Sequence, residues 1–172
     1  PTDMGVNMLG FCISDEDVCC NAAREEIIRR YYYALCNLAD KGTNEHEVNK
    51  ISLILKQAKL TTEYRRTTVA AREMKELYGV PASAIELQDG TIITARTSSL
   101  LGPSAALILN ATKHLAGIPH EVKLIPQEMI EPIQKTKVSF LHGHNPRLHT
   151  DEVLVAISML SNSDENCRKA LE

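Results

Sequence analysis

The sequence has no tryptophan, and two phenylalanines with five tyrosines bring its aromatic content to only 4%. That scarcity argues against base-stacking platforms and sugar-binding walls, which need exposed rings. Charge of one sign is missing as well. The formal net charge is −3 and both signs are mixed along the chain, so no basic face advertises nucleic acid. No apolar run approaches the roughly 20 residues of a membrane-spanning helix, and no secretion signal is seen. A cytoplasmic location is therefore expected, with neither nucleic acid nor membrane as a partner. The five cysteines, Cys12, Cys19, Cys20, Cys36 and Cys167, form no C-x-x-C pair, and an odd number does not suit a disulfide framework. Reduced, mostly buried thiols are expected, with a redox or zinc role as the alternative. H-E-x-x-H, G-x-x-x-x-G-K-[ST] and G-x-S-x-G are all absent, so no metal ligand set, P-loop or nucleophile elbow is assigned. The cofactor is left unknown.

What is present is a core-forming composition, 44% hydrophobic over 172 residues. Residues 1–13 read as an extended arm packed on the core. Ser14, followed by three acids, reads as the cap of a helix with Ile28, Tyr31, Leu35 and Leu38 at helical spacing, closed by Lys41-Gly42. Thr43 caps a second helix facing inward with Val48, Ile51, Leu55 and Ala58. Thr61 or Thr62 caps a third with Ala70, Ala71, Met74 and Leu77 inward and Gly79 as its stop. Beyond Pro81 the pattern changes. Ala84–Leu87 and Thr91–Thr94 flank Gln88-Asp89-Gly90, a hairpin signal. A buried central helix over 103–116 stops at Gly117, Val122–Ile125 reads as a further strand, and Pro126 and Pro132 lead through a turn into a helix reaching about Phe140. Thr150 and Ser163 cap the last two helices. The fold class is α/β: a helical subdomain with its arm over 1–80, then a small layered α/β subdomain over 81–172.

Two segments carry candidate chemistry. In Arg96-Thr97-Ser98-Ser99-Leu100-Leu101-Gly102-Pro103, hydroxyls and a glycine lead into a proline at a first helical position, where its missing N–H costs nothing. The open amides and positive dipole end of such a helix can hold an anion, with Arg96, Thr97, Ser98, Ser99 and Gly102 as binding residues. The plainer reading is a well-capped helix start. In His142-Gly143-His144-Asn145-Pro146-Arg147-Leu148-His149-Thr150-Asp151-Glu152, Asn145 and Arg147 can bind a carboxylate or phosphate and His149 can transfer a proton. His142 and His144 could share a metal only from an extended segment. The run Glu25-Glu26-Ile27-Ile28-Arg29-Arg30 places Glu25–Arg29 and Glu26–Arg30 at i,i+4. It reads as a charged helix face whose tyrosines, Tyr31 to Tyr33, anchor core or interface.

Several strings are family-like. Pro1-Thr2-Asp3-Met4-Gly5-Val6-Asn7-Met8, Glu26-Ile27-Ile28-Arg29-Arg30-Tyr31-Tyr32, Thr97-Ser98-Ser99-Leu100-Leu101-Gly102 and Asn145-Pro146-Arg147-Leu148-His149-Thr150-Asp151-Glu152-Val153-Leu154 resemble the bacterial family called domain of unknown function 1846. The resemblance runs end to end. It implies the C-terminal part of a chain roughly threefold longer, whose N-terminal region carries a glycine-rich nucleotide-type loop, and it implies no established activity. Some members carry the label ATP-dependent peptidase, for which no zinc-protease motif is present here. The family pattern has Gly-Lys where this chain has Ala95-Arg96, so a cation is kept and a close backbone approach is lost. Both chain ends read as cuts in a longer protein.

Two functions follow from these readings. The first is the C-terminal module of a nucleotide- or phosphometabolite-using enzyme, binding a phosphate-containing small molecule at 97–104. The second is a non-catalytic interaction module that assembles the parent protein, with the tyrosine-bearing helix as interface to the N-terminal region or to a second copy. The density of polar loop residues favours the first.

Overall fold

A computed structural model describes residues 14–42 and 44–172. The expected arm over 1–13, Cys12 and the Thr43 cap lie outside the described residues. The chain divides into two compact units, Pro1–Arg65 and Arg66–Glu172.

In the first unit, helix α1 (Glu16–Lys41) begins at Asp15 rather than Ser14. The Asp15 carboxylate accepts the Val18 amide at 3.0 Å, and Glu16 and Asp17 suit the positive end of the dipole. Gly42 ends the helix at φ +62°, its amide bonded to the Leu38 carbonyl. Helix α2 (Glu45–Gln57) buries Leu55 and half-buries Val48 and Ile51, while Ala58 is exposed. Ile28 and Ala34 are the buried residues of α1. Leu35 is exposed, as are Tyr32 (68%) and Tyr33 (62%), and only Tyr31 is half-buried, so most of the tyrosine run is no core anchor within this unit. The expected Glu25–Arg29 pair is replaced. Glu26 takes both Arg29, at 2.6 Å, and Arg30, at 2.8 Å, and Glu25 lies 4.0 Å from Arg65. Hydrogen bonds from Arg29 and then Arg30 hold the Glu26 carboxyl at about 2. Tyr64, in the short 3-10 turn Thr62–Tyr64, donates its hydroxyl proton to Asn21 Oδ1 at 2.6 Å and ties that turn to α1.

The second unit is mixed α/β. Helix α3 (Arg66–Tyr78) packs on both strands of an antiparallel hairpin, β1 (Ala82–Glu86) and β2 (Ile92–Arg96). The boundary expected near residue 80 thus falls at 65/66, because Ala70, Ala71 and Met74 pack in this unit, whereas Leu77 is 74% exposed. The hairpin pairs Ala82 with Arg96 and Glu86 with Ile92. Its loop is Gln88-Asp89-Gly90, with Asp89 Oδ1 accepting the Thr91 amide at 2.9 Å and Gly90 at φ +82°, a conformation that favours glycine. Helix α4 (Pro103–Leu115) is tied to β2 by Asn110 Nδ2, which donates to the Thr94 carbonyl at 3.0 Å. It buries Ala105, Leu107 and Ala111 and packs on the hairpin as well as on the helices Thr150–Leu160 and Glu165–Leu171, so it is the central helix of this unit, with Leu115 exposed near its end. Gly117 stops it at φ +64°.

The strand expected over Val122–Ile125 is irregular chain; among the described residues the sheet has only β1 and β2. Leu124 and Ile125 still enter the core, so the apolar run is a core plug. Its carbonyls are satisfied by side chains, Val122 O by Lys113 Nζ at 3.3 Å and Leu124 O by Cys167 Sγ at 3.1 Å. Helix α5 (Gln127–Lys135) contains Pro132 and continues as a wider i→i+5 turn, Thr136–Phe140. Helices α6 (Thr150–Leu160) and α7 (Glu165–Leu171) start one residue away from the expected caps, at His149 before α6 and Asp164 before α7. Asp164 accepts the Cys167 amide at 3.0 Å, while Ser163 turns back to the Leu160 carbonyl. Leu148, Val153, Ile157 and Cys167 are sealed at the centre of this unit. Cys19 and Cys20 are exposed, against the expectation of mostly buried thiols, and the described cysteines are free. Among the described residues no helix is long and apolar enough to cross a membrane.

Candidate functional site

The loop between β2 and α4 is folded on itself. The Ser98 hydroxyl accepts the amides of Leu100 (3.2 Å) and Leu101 (3.1 Å), and the Ser98 amide donates to the Leu101 carbonyl at 3.0 Å. Serine suits this position because its side chain reaches its own backbone two and three residues on. Thr97 donates its amide to the Pro81 carbonyl at 2.9 Å and its hydroxyl to Leu101 O at 3.2 Å. Gly102 donates to the Leu148 carbonyl at 3.0 Å, and the Leu148 amide returns to Leu100 O at 2.9 Å. Leu148, fully buried, therefore clamps the loop from the second polar segment, with Leu100 and Leu101 packed on the same core.

The second segment leaves the turn after α5. Gly143 donates to the Lys137 carbonyl at 2.8 Å, six residues back, and His142 sits between them at φ +54°, a left-handed residue that ends the wider turn. Asn145 Oδ1 accepts the Arg147 amide at 3.1 Å, a side-chain-closed turn suited to Asn-Pro. Arg147 then reaches back, its Nε donating to the Ser98 carbonyl at 2.6 Å across 49 residues of sequence. His149 Nε2 lies 3.2 Å from Asn145 Nδ2, and the His149 amide donates to Glu152 Oε2 at 2.7 Å. Burial pushes the Glu152 carboxyl up, but the Lys137 ammonium at 2.8 Å and the His149 amide outweigh it and hold it below its ordinary value.

The structure thus brings Ser98, Asn145, Arg147, His149 and Glu152 into one connected cluster. The anticipated row of open amides is not there: Thr97, Ser98 and Gly102 all spend theirs on protein carbonyls. Pro103 has no N–H, and Ala106 already bonds Gly102 O. The first-turn amides of α4 without an intrahelical partner belong to Ser104 and Ala105, and of these Ser104 is exposed and Ala105 buried. Ser99 is exposed, with its carbonyl taking Gln134 Nε2 at 3.1 Å. Arg96 turns elsewhere, its guanidinium 4.4 Å from the centre of the Tyr78 ring, where a cation–π contact holds it. His142 and His144 are exposed, and among the described residues no group of three or more His, Cys, Asp or Glu could hold a metal.

Sequence reasoning missed Lys137 and Gln134. Both are ordinary polar residues on α5 or its last turn, and no local spacing signals that they bond carbonyls in other segments.

A mixed α/β unit carrying a polar junction of two loops, joined in sequence to a helical unit, is the class the coordinates define. The description "Domain of unknown function DUF1846, C-terminal" matches residues 63–172, and "Domain of unknown function DUF1846, N-terminal" matches residues 1–59. The chain belongs to this family, and its first 59 residues match the N-terminal description. It is similar to UPF0371 proteins of Corynebacterium urealyticum (49% identity, 35% of that protein covered) and Corynebacterium aurimucosum (50%, 34% covered). A third, of Streptococcus sanguinis, is 43% identical with 35% covered. In each case the whole of this chain aligns, so it spans about a third of the length of these relatives.

Proposed function

We propose that residues 66–172 form the anion-binding module of a nucleotide- or phosphometabolite-using enzyme, whose remaining parts lie in the longer protein. The observation that carries this reading is the Arg147–Ser98 hydrogen bond of 2.6 Å. It engages Nε and fixes the guanidinium plane while the side chain stays on an exposed residue, so the two terminal amino groups are available to a phosphate in bidentate fashion. Ser104, an exposed residue in the first turn of α4, offers its amide at the positive end of that helix, and the Ser99 hydroxyl completes the proposed donor set. Asn145 and His149 border it, with His149 as the proton carrier. Thr97, Ser98 and Gly102 serve as scaffold, because their amides are already committed, and Arg96 takes no part. Recognition therefore rests on one oriented guanidinium rather than on a backbone cradle.

The test is calorimetric titration of the full-length protein with inorganic phosphate and with nucleotides. Arg147→Ala is expected to weaken binding by about tenfold, the loss of one charge-assisted pair, and Arg96→Ala to leave it unchanged. Equal loss in both variants, or no binding by the wild type, removes the proposal. The assembly reading draws on the exposed Tyr32 and Tyr33. A phosphate-blind protein that sediments as a concentration-dependent dimer would favour it.

A further inference from the structure

We infer that Lys137 is the positioning residue of this site, the group that holds the 141–149 loop where Arg147 meets Ser98. The inference takes its functional meaning from the anion-binding reading, but its geometry stands apart from it. Lys137 Nζ donates to the Arg147 carbonyl at 2.9 Å and to Glu152 Oε2 at 2.8 Å. The same Glu152 oxygen accepts the His149 amide at 2.7 Å, closing a ring of contacts through Lys137, Arg147, His149 and Glu152. At the other end of the loop, the Lys137 carbonyl accepts the Gly143 amide at 2.8 Å. One residue therefore grips the loop at its entry, through its backbone, and at its exit, through its ammonium.

The packing agrees with this role. A Cβ at Gly143 would stand 3.1 Å from both Lys137 Cγ and Lys137 O, so the loop lies directly on the lysine stem. The Lys137 and Glu152 side chains are only 17% and 27% exposed, unlike a solvated surface pair that would add little. An ammonium has three donors and no fixed plane, which lets it serve a carbonyl and a carboxylate in different directions at once. Arg147 reaches Ser98 from a backbone whose carbonyl Lys137 holds, next to the Leu148 bonds to Leu100 and Gly102.

The test uses the full-length protein, read by hydrogen–deuterium exchange of the 141–149 segment and by titration with inorganic phosphate. In Lys137→Met the amides of residues 143–149 are expected to exchange about tenfold faster, as the loss of a charge-assisted hydrogen bond would give, with α4 and α6 unchanged. Phosphate binding should weaken by a similar factor, and Lys137→Arg, which restores the charge and donors, should recover much of both. Unchanged exchange in the loop overturns the assignment, whatever happens to phosphate. If exchange quickens throughout the unit, Glu152→Gln decides: acceleration confined to 143–149 supports the ring, and none overturns it. A wild type indifferent to phosphate whose loop is nevertheless freed by Lys137→Met sinks the anion reading and leaves the positioning role standing.

Discussion

The thiol of Cys167 donates to the carbonyl of Leu124 at 3.1 Å, and Cys167 is 0% exposed. This contact joins the last helix to the irregular segment that replaces the expected strand. Burial, with Asp164 second, pushes the thiol above its ordinary value, so it stays protonated and able to donate. Cys167→Ala removes the donor and leaves a small void. It is expected to cost about 1–2 kcal/mol, read as a lower urea midpoint with unchanged slope. A midpoint equal to the wild type would mean the Leu124 carbonyl has no need of this partner.

Acid should loosen the Lys137–Glu152 ring. The folded Glu152 carboxyl lies below its ordinary 4.5, since the lysine and the His149 amide overcome the upward push of burial. A depressed carboxylate contributes stability above its unfolded value, and that contribution is lost as pH falls through the folded one. Glu152→Gln should therefore be less stable than wild type at pH 7, by about 1–3 kcal/mol. The gap should narrow as melting is repeated in steps below pH 4.5. A gap independent of pH would contradict the ion pair.

His142 and Gly143 have opposite demands. Gly143→Ala brings a methyl against the Lys137 backbone oxygen, which cannot swing aside, and should cost about 1–2 kcal/mol. His142 holds φ +54°, a conformation that penalises side chains, so His142→Gly should gain about 0.5 kcal/mol. Thermal melts of the two variants moving in the same direction would refute this account of the turn.

Local punctuation was readable from sequence because it has local causes. Gly42, Gly79, Gly90 and Gly117 all take positive φ where stops or a turn were expected, and Pro103 opens its helix. Long-range pairings were not readable. Nothing in Val122–Ile125 distinguishes a strand from a core plug, since both are short apolar runs, and the choice depends on Lys113 and Cys167 reaching its carbonyls. Helix α3 has the periodicity of any amphipathic helix, and only its contact with the hairpin assigns it to the second unit. At the site, the polar segments were visible and their meeting through Arg147 and Ser98 fits the proposal. The internal bonding of Thr97, Ser98 and Gly102 depends on Pro81 and Leu148, distant residues with no sequence mark of that role.

The neighbouring exposed thiols of Cys19 and Cys20 have a practical corollary for anyone handling the protein. Exposed sulfurs let copies link to one another in air, building ladders on a non-reducing gel that vanish with dithiothreitol. Bench assays of self-association therefore belong in reductant, or in a Cys19→Ser, Cys20→Ser background, so that a covalent chain of copies is not taken for a native complex.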